Sequence, residues 1–395
     1  MKKRIFRYGK RALLTILILV PVIIYIGYSM GARVHYGDNP LALNWVNEGP
    51  YIFFKNDSIL NVNYIKGTKD DGYYVKQENY QIDSLVSATC YYPLDTTQFS
   101  FPVKTDFETP SSIYNDNNQI FAMSDIESNY KTFRDFLLNS KVIDEDLNWT
   151  FGAGHLVLVG DFIDRGYFTT QLLWFIYKLE QDAEIQGGNV HYIVGNHELK
   201  MMHGNYSATD PKYDDVASLL GVHQIEFYSS KSLIGRWLAS KNAIELINNH
   251  LFVHGGLHPD LPDSKLSIEE INQIIRRNYY YNPYDANQNK TDKTQEEELL
   301  LSPKLGPCWY RGYFKDHLTQ EQIDRQLDYF NARSVVVGHT IQTQVNRIYN
   351  GKVIAIDVQH PNDDHKQWPE GESEALLIEG DKYYRVFANG EKEEI

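Results

Sequence analysis

The chain is 395 residues long, with 38 Lys and Arg against 52 Asp and Glu, a formal net charge of −14. At 42% hydrophobic and 23% charged residues it is too apolar for a disordered chain and long enough to bury a substantial core. The acidic balance argues against broad electrostatic binding to nucleic acid, and two cysteines, Cys90 and Cys308, exclude a disulfide-dense scaffold or a four-cysteine zinc site.

The charge is unevenly placed. Residues 1–11 hold six basic residues and no acid, and the rest of the chain holds 32 basic against 52 acidic, a balance of −20. An uncharged run, Ala12 to Ala32, follows directly. As a helix its 21 residues span about 31 Å, the thickness of a hydrocarbon core. Pro21 inside it is tolerated in a membrane helix more readily than in a soluble one. A basic flank before the run places residues 33–395 outside the cytoplasm, periplasmic or extracellular. The expectation is a single-pass anchor; a cleaved signal peptide, which would leave a secreted protein, is the alternative.

From about Asn44 to Val103 the chain is rich in Tyr, Phe, Ile and Val. Residues 51–65 predict two strands around an Asn56-Asp57 turn, and residues 72–83 predict another. The polar stretch 106–119 reads as a linker. Three regions result: 1–33, basic tail and anchor; 34–118, β-rich extension and linker; 119–395, the main domain.

Beyond residue 119, strands and helices alternate. Ile120–Asp125 reads as a strand, 128–143 as a helix, His155–Asp161 as a strand and Thr169–Ile185 as a helix. Residues 189–198, 250–256 and 332–340 share one theme, a buried β run ending in a polar cluster, and residues 352–358 and 375–387 supply the last strands. This order indicates an α/β domain whose strand ends deliver side chains into neighbouring loops.

Those ends carry metal-ligand residue types: Asp125 and Glu127, Asp161, Asn196, His254 and His339. Carboxylate, amide and imidazole in this combination suit two adjacent divalent cations. One such residue alone is unremarkable, since an Asp after a strand is commonly a helix cap; five strand ends in order, each carrying such residues, are not. The motifs Gly160-Asp161-Phe162-Ile163-Asp164-Arg165-Gly166 and Gly195-Asn196-His197-Glu198 resemble those of the calcineurin-like metallophosphoesterases, in the phosphoprotein-phosphatase branch. Segments 232–256 and 306–314 resemble the bacterial Shewanella-like phosphatases within it.

The resemblance covers about residues 119–360 and implies a β-sandwich flanked by helices around two divalent cations, manganese first, with iron, zinc or magnesium as alternatives. Asp125 and residue 127 would bind one cation, Asp161 would bridge, and Asn196, His254 and His339 would bind the second. A hydroxide between them would attack phosphorus in line. His197 would protonate the leaving oxygen, oriented by Asp164, while Arg165 and Arg311 would hold phosphate oxygens. The implied activity is hydrolysis of a phosphomonoester, on a phosphorylated protein or a small molecule. Hydrolysis of dinucleoside polyphosphates or other diesters on the same scaffold is the second reading, and a metal-binding sensor with a decayed first site is the third.

The first motif departs from the pattern: Ser124-Asp125-Ile126-Glu127-Ser128 stands where the family has Gly-Asp-x-His-Gly. A glutamate still ligates but is harder than imidazole, which favours oxygen-loving ions such as Mn²⁺ or Mg²⁺. Asp357, after a strand, is positioned to support a ligand histidine, residues 279–300 read as an exposed insertion, and Cys90 and Cys308 are free to pair in an oxidising compartment.

Overall fold

The computed structural model describes residues 2–29, 32, 34–281 and 294–395. One six-stranded sheet runs in the order Asn189–Ile193, His155–Val159, Ile120–Met123, Glu374–Glu379, Lys382–Phe387, Lys392–Glu394, its first three strands parallel and the rest antiparallel. A second runs Asn346–Ile348, Val353–Ala355, Ser334–Val337, His250–Val253, Ile244–Ile247, Ile113–Tyr114. Ile120, Ala122, Val157, Val159 and Ile193 from one sheet pack on Ile247, Phe252, Val336 and Ile354 from the other. Alternate residues Phe121, Met123, Leu156 and Leu158 pack outward in the same cluster as Phe133, Leu172, Phe175 and Ile176 of the helices Tyr130–Asn139 and Thr169–Ile185. Burial on both faces is why these strands read as unbroken apolar runs rather than alternating ones.

The helices Tyr130–Asn139 and Thr169–Ile185 are crossovers between parallel strands, so the strands ending at Met123, Val159 and Ile193 all finish at one rim. In the second sheet, the strands ending at Val253 and Val337 are parallel and finish together. A bridge between Ile193 and Asn242 ties the two sheets. The sandwich thus gathers five sequence-distant strand ends at one place.

The β-rich extension is a three-stranded antiparallel sheet, Glu48–Asn56, Ile59–Thr68 and Gly72–Gln81, and a hairpin of Ser87–Tyr91 with Gln98–Pro102. It covers the helix Thr169–Ile185: Phe101 stacks on Trp174 at 4.7 Å, and Trp174 Nε1 donates to the Pro50 carbonyl at 2.8 Å. Buried Glu48 pairs with Lys212 at 3.0 Å and accepts from Gln171 Nε2 at 2.9 Å. Extension and sandwich share one apolar core.

Three expectations change. The linker read over 106–119 contains the edge strand Ile113–Tyr114, which pairs with Leu246 and Ile247 and is too short to show a pattern of its own. The insertion read over 279–300 is not wholly exposed: Tyr279 is buried, its hydroxyl donating to the Lys241 carbonyl at 3.0 Å, while 282–293 lie outside the described residues. Cys90 and Cys308 are separate free thiols, both buried, and Cys308 Sγ donates to the Val194 carbonyl at 3.2 Å. At the other end, Lys2–Ser29 is one helix containing Pro21, and its apolar stretch Phe6–Gly27 has the length and composition to cross a membrane, with no part of it buried against the protein.

Candidate metal centre and catalytic cleft

Sharp turns deliver the motif side chains. Asp125 (φ 54°), Glu127 (51°), Asp161 (56°), Asp164 (76°), Arg165 (62°) and His339 (63°) all occupy the left-handed region, at about 1–3 kcal/mol each. The surrounding packing holds them there. A Cβ on Gly195 would lie 2.3 Å from Asp161 Oδ1, and one on Gly338 would lie 2.6 Å from Asp125 Oδ2, so both glycines are required by close approach to a carboxylate.

Asp161, His254 and His339 present ligand atoms within 4.8 Å of one another, all buried. His254 Nδ1 lies 2.8 Å from the Val159 carbonyl, and His339 Nε2 lies 3.0 Å from the Trp309 carbonyl. Each of these nitrogens therefore carries the proton, which fixes the tautomer and turns the other nitrogen inward. His254 Nε2 then lies 3.1 Å from Asp161 Oδ2, 3.0 Å from Asn196 Oδ1 and 3.2 Å from His339 Nδ1. Two imidazole nitrogens, a carboxylate and an amide oxygen converge as acceptors, a set that a divalent cation completes. The electrostatics agree. Against the burial that would lower it, Asp161 and Asp125 push His254 up to about 10, so a proton on Nε2 competes with a cation for this point, whereas burial and then the adjacent His254 hold His339 at about 2. The carboxylates draw positive charge to this point. Asp161, Asn196, His254 and His339 thus fit the second cation.

The first side is differently built. Asp125 Oδ2 accepts from the His339 N–H at 3.0 Å and from the Ser124 hydroxyl. Glu127 forms an ion pair with Arg165. Burial pushes its carboxyl up to about 7, opposed by Arg165 and assisted by Asp125 and Asp161. Arg165 is therefore engaged with Glu127, and its other nitrogen lies 2.9 Å from His197 Nε2. Asp357 does not support a ligand histidine, since carbonyls fill that role for both. Instead it lines one cavity with Asp125, Glu127 and Asp161, 6% exposed, and its carboxylate has no hydrogen bond or ion pair among the described residues. Burial, then Asp125 and Glu127, push its carboxyl well up. Four carboxylates, Asp125, Glu127, Asp161 and Asp357, thus line one cavity.

His197 is buried, with Nδ1 2.6 Å from Asp164 Oδ2 and its backbone N–H donating to Asp161 Oδ1 at 2.9 Å. Asp164 is steadied by the Thr209 hydroxyl at 3.0 Å. The His197 Nε2 faces a cleft, 3.3 Å from Lys200 Nζ. Arg311 donates to the His339 carbonyl and, at 3.2 Å, to the Thr340 hydroxyl, which puts it beside the ligand histidine. His203 and His258 take no part in the ligand cluster.

The sequence reading missed Glu198, which passes for an ordinary acid in a helix first turn. Its carboxylate accepts from the N–H groups of Asp161 (3.0 Å), Phe162 (3.0 Å) and Gly195 (2.8 Å) and from the Tyr192 hydroxyl (2.8 Å), clamping the two loops that carry Asp161 and Asn196. The one available signal was its place beside Asn196 and His197 in the motif.

Residues 119–342, more than half of the chain, match the calcineurin-like phosphoesterase family. Shewanella-like protein phosphatase 1 of Plasmodium berghei is 30% identical over 276 residues, covering 63% of this chain and 73% of the relative. Shewanella-like protein phosphatase 2 of Arabidopsis thaliana is 21% identical over 352 residues, 75% and 82% of the two chains. The crystal structure of a cold-active protein-tyrosine phosphatase from a psychrophilic Shewanella superposes with a TM-score of 0.74 at 28% identity, covering 88% of this chain and 98% of that one. With the motifs gathered at one rim of a two-sheet sandwich and matched in order, this chain belongs to the calcineurin-like phosphoesterase family and is a hydrolase of phosphoric esters.

Proposed function

We propose that this protein is a metal-dependent phosphomonoesterase acting on phosphorylated protein side chains, held at a membrane by its N-terminal helix with the catalytic domain outside the cytoplasm. The observation that carries the reading is His197, locked on Asp164 through Nδ1 with Nε2 facing the cleft beside the ligand cluster. A metal-binding sensor has no use for a leaving-group acid. The named relatives, protein phosphatases and a protein-tyrosine phosphatase, support a phosphorylated side chain as substrate.

Two divalent cations would supply an ionised water at neutral pH and neutralise charge on the phosphoryl oxygens. Asp161, Asn196, His254 and His339 would hold one, a mixed nitrogen and oxygen set that suits manganese, iron or zinc; Asp125, Glu127, Asp161 and Asp357 would hold the other, an oxygen set that suits manganese or magnesium. Arg165 and Arg311 bind phosphate oxygens. An incoming phosphate would compete with Glu127 and His197 for Arg165, leaving the glutamate able to serve as a ligand and freeing His197 Nε2. The ionised water would bond to phosphorus as the ester P–O bond breaks, and His197, having taken up a proton from solvent at Nε2 once Arg165 has turned to the phosphate, would give that proton to the leaving oxygen. The anchor reading rests on the six basic residues of 1–11, ahead of the uncharged run from Ala12, and on the helix stretch Phe6–Gly27 having no face covered by the protein.

The test uses the full-length chain in detergent, loaded with Mn²⁺, on nitrophenyl phosphate, phosphotyrosine, phosphoserine, dinucleoside polyphosphate and diester substrates, alongside His197→Ala. The monoesters should be turned over, and His197→Ala should cost about 10²–10⁴ on phosphoserine. Equal rates for both enzymes on every substrate would reject the catalytic assignment. Faster turnover of the dinucleotide or diester would favour that reading instead.

A further inference from the structure

Arg165, Arg311 and His339 line two adjoining cavities. One holds the carboxylates Asp125, Glu127, Asp161 and Asp357. The other, about 380 Å³, holds Lys200, Lys304 and Lys315 with a single acid, Asp316. The shared residues are the seam at which a phosphate, bound by the two arginines, would sit. His197 lines the lysine-bearing half, so the leaving oxygen, and everything attached to it, lies on that side.

We infer that this half of the cleft selects substrates in which the phosphorylated residue is flanked by further negative charge, either carboxylate or a second phosphate, received by Lys304 and Lys315 with Lys200 beneath them. This rests on the phosphatase reading above. Lys304 and Lys315 are exposed, and neither has a carboxylate within ion-pair distance among the described residues. Lysines elsewhere commonly do: Lys104 pairs with Glu184 at 2.9 Å, Lys231 with Glu226 at 3.1 Å and Lys241 with Glu180 at 2.6 Å. In a chain of net charge −14, cations are not in surplus. Arg165 is held by Glu127, whereas Lys304 and Lys315 at the open end of the cleft keep an unpaired positive field that draws anionic ligands in. An acidic peptide fits this cleft better than a nucleotide does. Lys200 Nζ already lies 5.4 Å from the centroid of the Trp309 ring, so a face of the larger of the two aromatics lining this half, Trp309 and Tyr310, is taken by a cation rather than left to stack a base.

The experiment compares phosphopeptides of one length whose flanking residues are all alanine, all glutamate, all lysine, or alanine with one additional phosphoserine. The readout is the ratio of kcat/KM on each charged peptide to that on the alanine peptide, within the same full-length, Mn²⁺-loaded enzyme. For the native chain the glutamate ratio should be about tenfold, shrinking as salt rises, and the lysine ratio should fall below one. The second-phosphate arm tells phosphate from carboxylate as the preferred flank. In Lys304→Ala/Lys315→Ala the glutamate ratio should drop to about twofold or less; Lys200 is left untouched because it contacts His197. A ratio near one in the native chain, or one unchanged in the double variant, overturns the inference. Fluorescence anisotropy with non-hydrolysable phosphonate versions of the glutamate and alanine peptides measures the same preference in binding. If nitrophenyl phosphate is not hydrolysed, the phosphatase reading fails, and the anisotropy ratio still decides on the lysine cleft.

Discussion

Replacing Glu198 by glutamine, which has the same size and shape, tests whether the metal-binding loops are held as described. The buried carboxylate faces four donors, two on each oxygen: Asp161 N–H and Gly195 N–H on Oε2, Phe162 N–H and the Tyr192 hydroxyl on Oε1. Glutamine keeps one acceptor oxygen and turns the other into an NH₂ group. The Tyr192 hydroxyl can rotate to accept, but at least one buried backbone N–H is then left against amide hydrogens, and the remaining bonds lose their ionic partner. At about 1.5–3 kcal/mol per hydrogen bond to a charged group, two such losses amount to about 3–6 kcal/mol, a large share of a typical domain stability of about 5–15 kcal/mol. Urea unfolding of the full-length protein in detergent, followed by tryptophan fluorescence, measures the shift. Metal content of the refolded variant should fall in parallel, because the lost bonds position Asp161 and Asn196. A glutamine variant within about 0.5 kcal/mol of the native chain and with full metal content would refute the clamp, and would mean that Glu198 is protonated and the loops are held by other contacts.

Two further outcomes follow from the structure. If the proposed pair of cations is bound, Asp357→Asn should lower the manganese content of the Mn²⁺-loaded chain from two equivalents toward one, measured by elemental analysis after gel filtration; the same content in both proteins would remove Asp357 from the proposed ligand set. Burial, with Arg333 and Arg347 nearby, holds His250 down at about 4, and its Nδ1 lies 2.8 Å from the Ser334 hydroxyl. The unfolded chain takes up that proton near pH 6.5 and the folded chain only near 4, so stability is full above 6.5 and falls by up to about 3 kcal/mol as pH drops to 4. His250→Gln should flatten the decline in urea midpoint between pH 7 and 5; an unchanged slope would show that other groups carry it.

Much of the site was legible because its motifs are local. A turn that forces a residue such as Asp161 into the left-handed region beside Gly160 is written in neighbouring residues, and so is a β run that ends in His254 or His339. The replacement of histidine by Glu127 was equally plain. The pairing of Glu127 with Arg165 was not, since it depends on two loops 38 positions apart meeting at the rim. Asp357 follows a strand like several other acids, and only its open face toward Asp125 and Glu127 distinguishes it. Ile113–Tyr114 escaped notice because two residues carry no period.

Length, charge asymmetry, the apolar run behind a basic start, the alternation of strands and helices, and the residue types at the strand ends were all determined by the sequence alone. Each depends on chemistry that neighbouring residues share: burial on one or both faces, a turn's demand for glycine, the hydropathy of a helix. The tertiary structure decided which of those residues meet. It set the tautomers of His254 and His339 through the Val159 and Trp309 carbonyls, turned Glu198 into a clamp, brought Asp357 into one cavity with Asp125 and Glu127, and divided the cleft at Arg165 and Arg311 into an acidic half and a basic half. These arrangements arise from packing between segments far apart in the chain, where sheet order and crossover geometry determine distance and no local pattern records it.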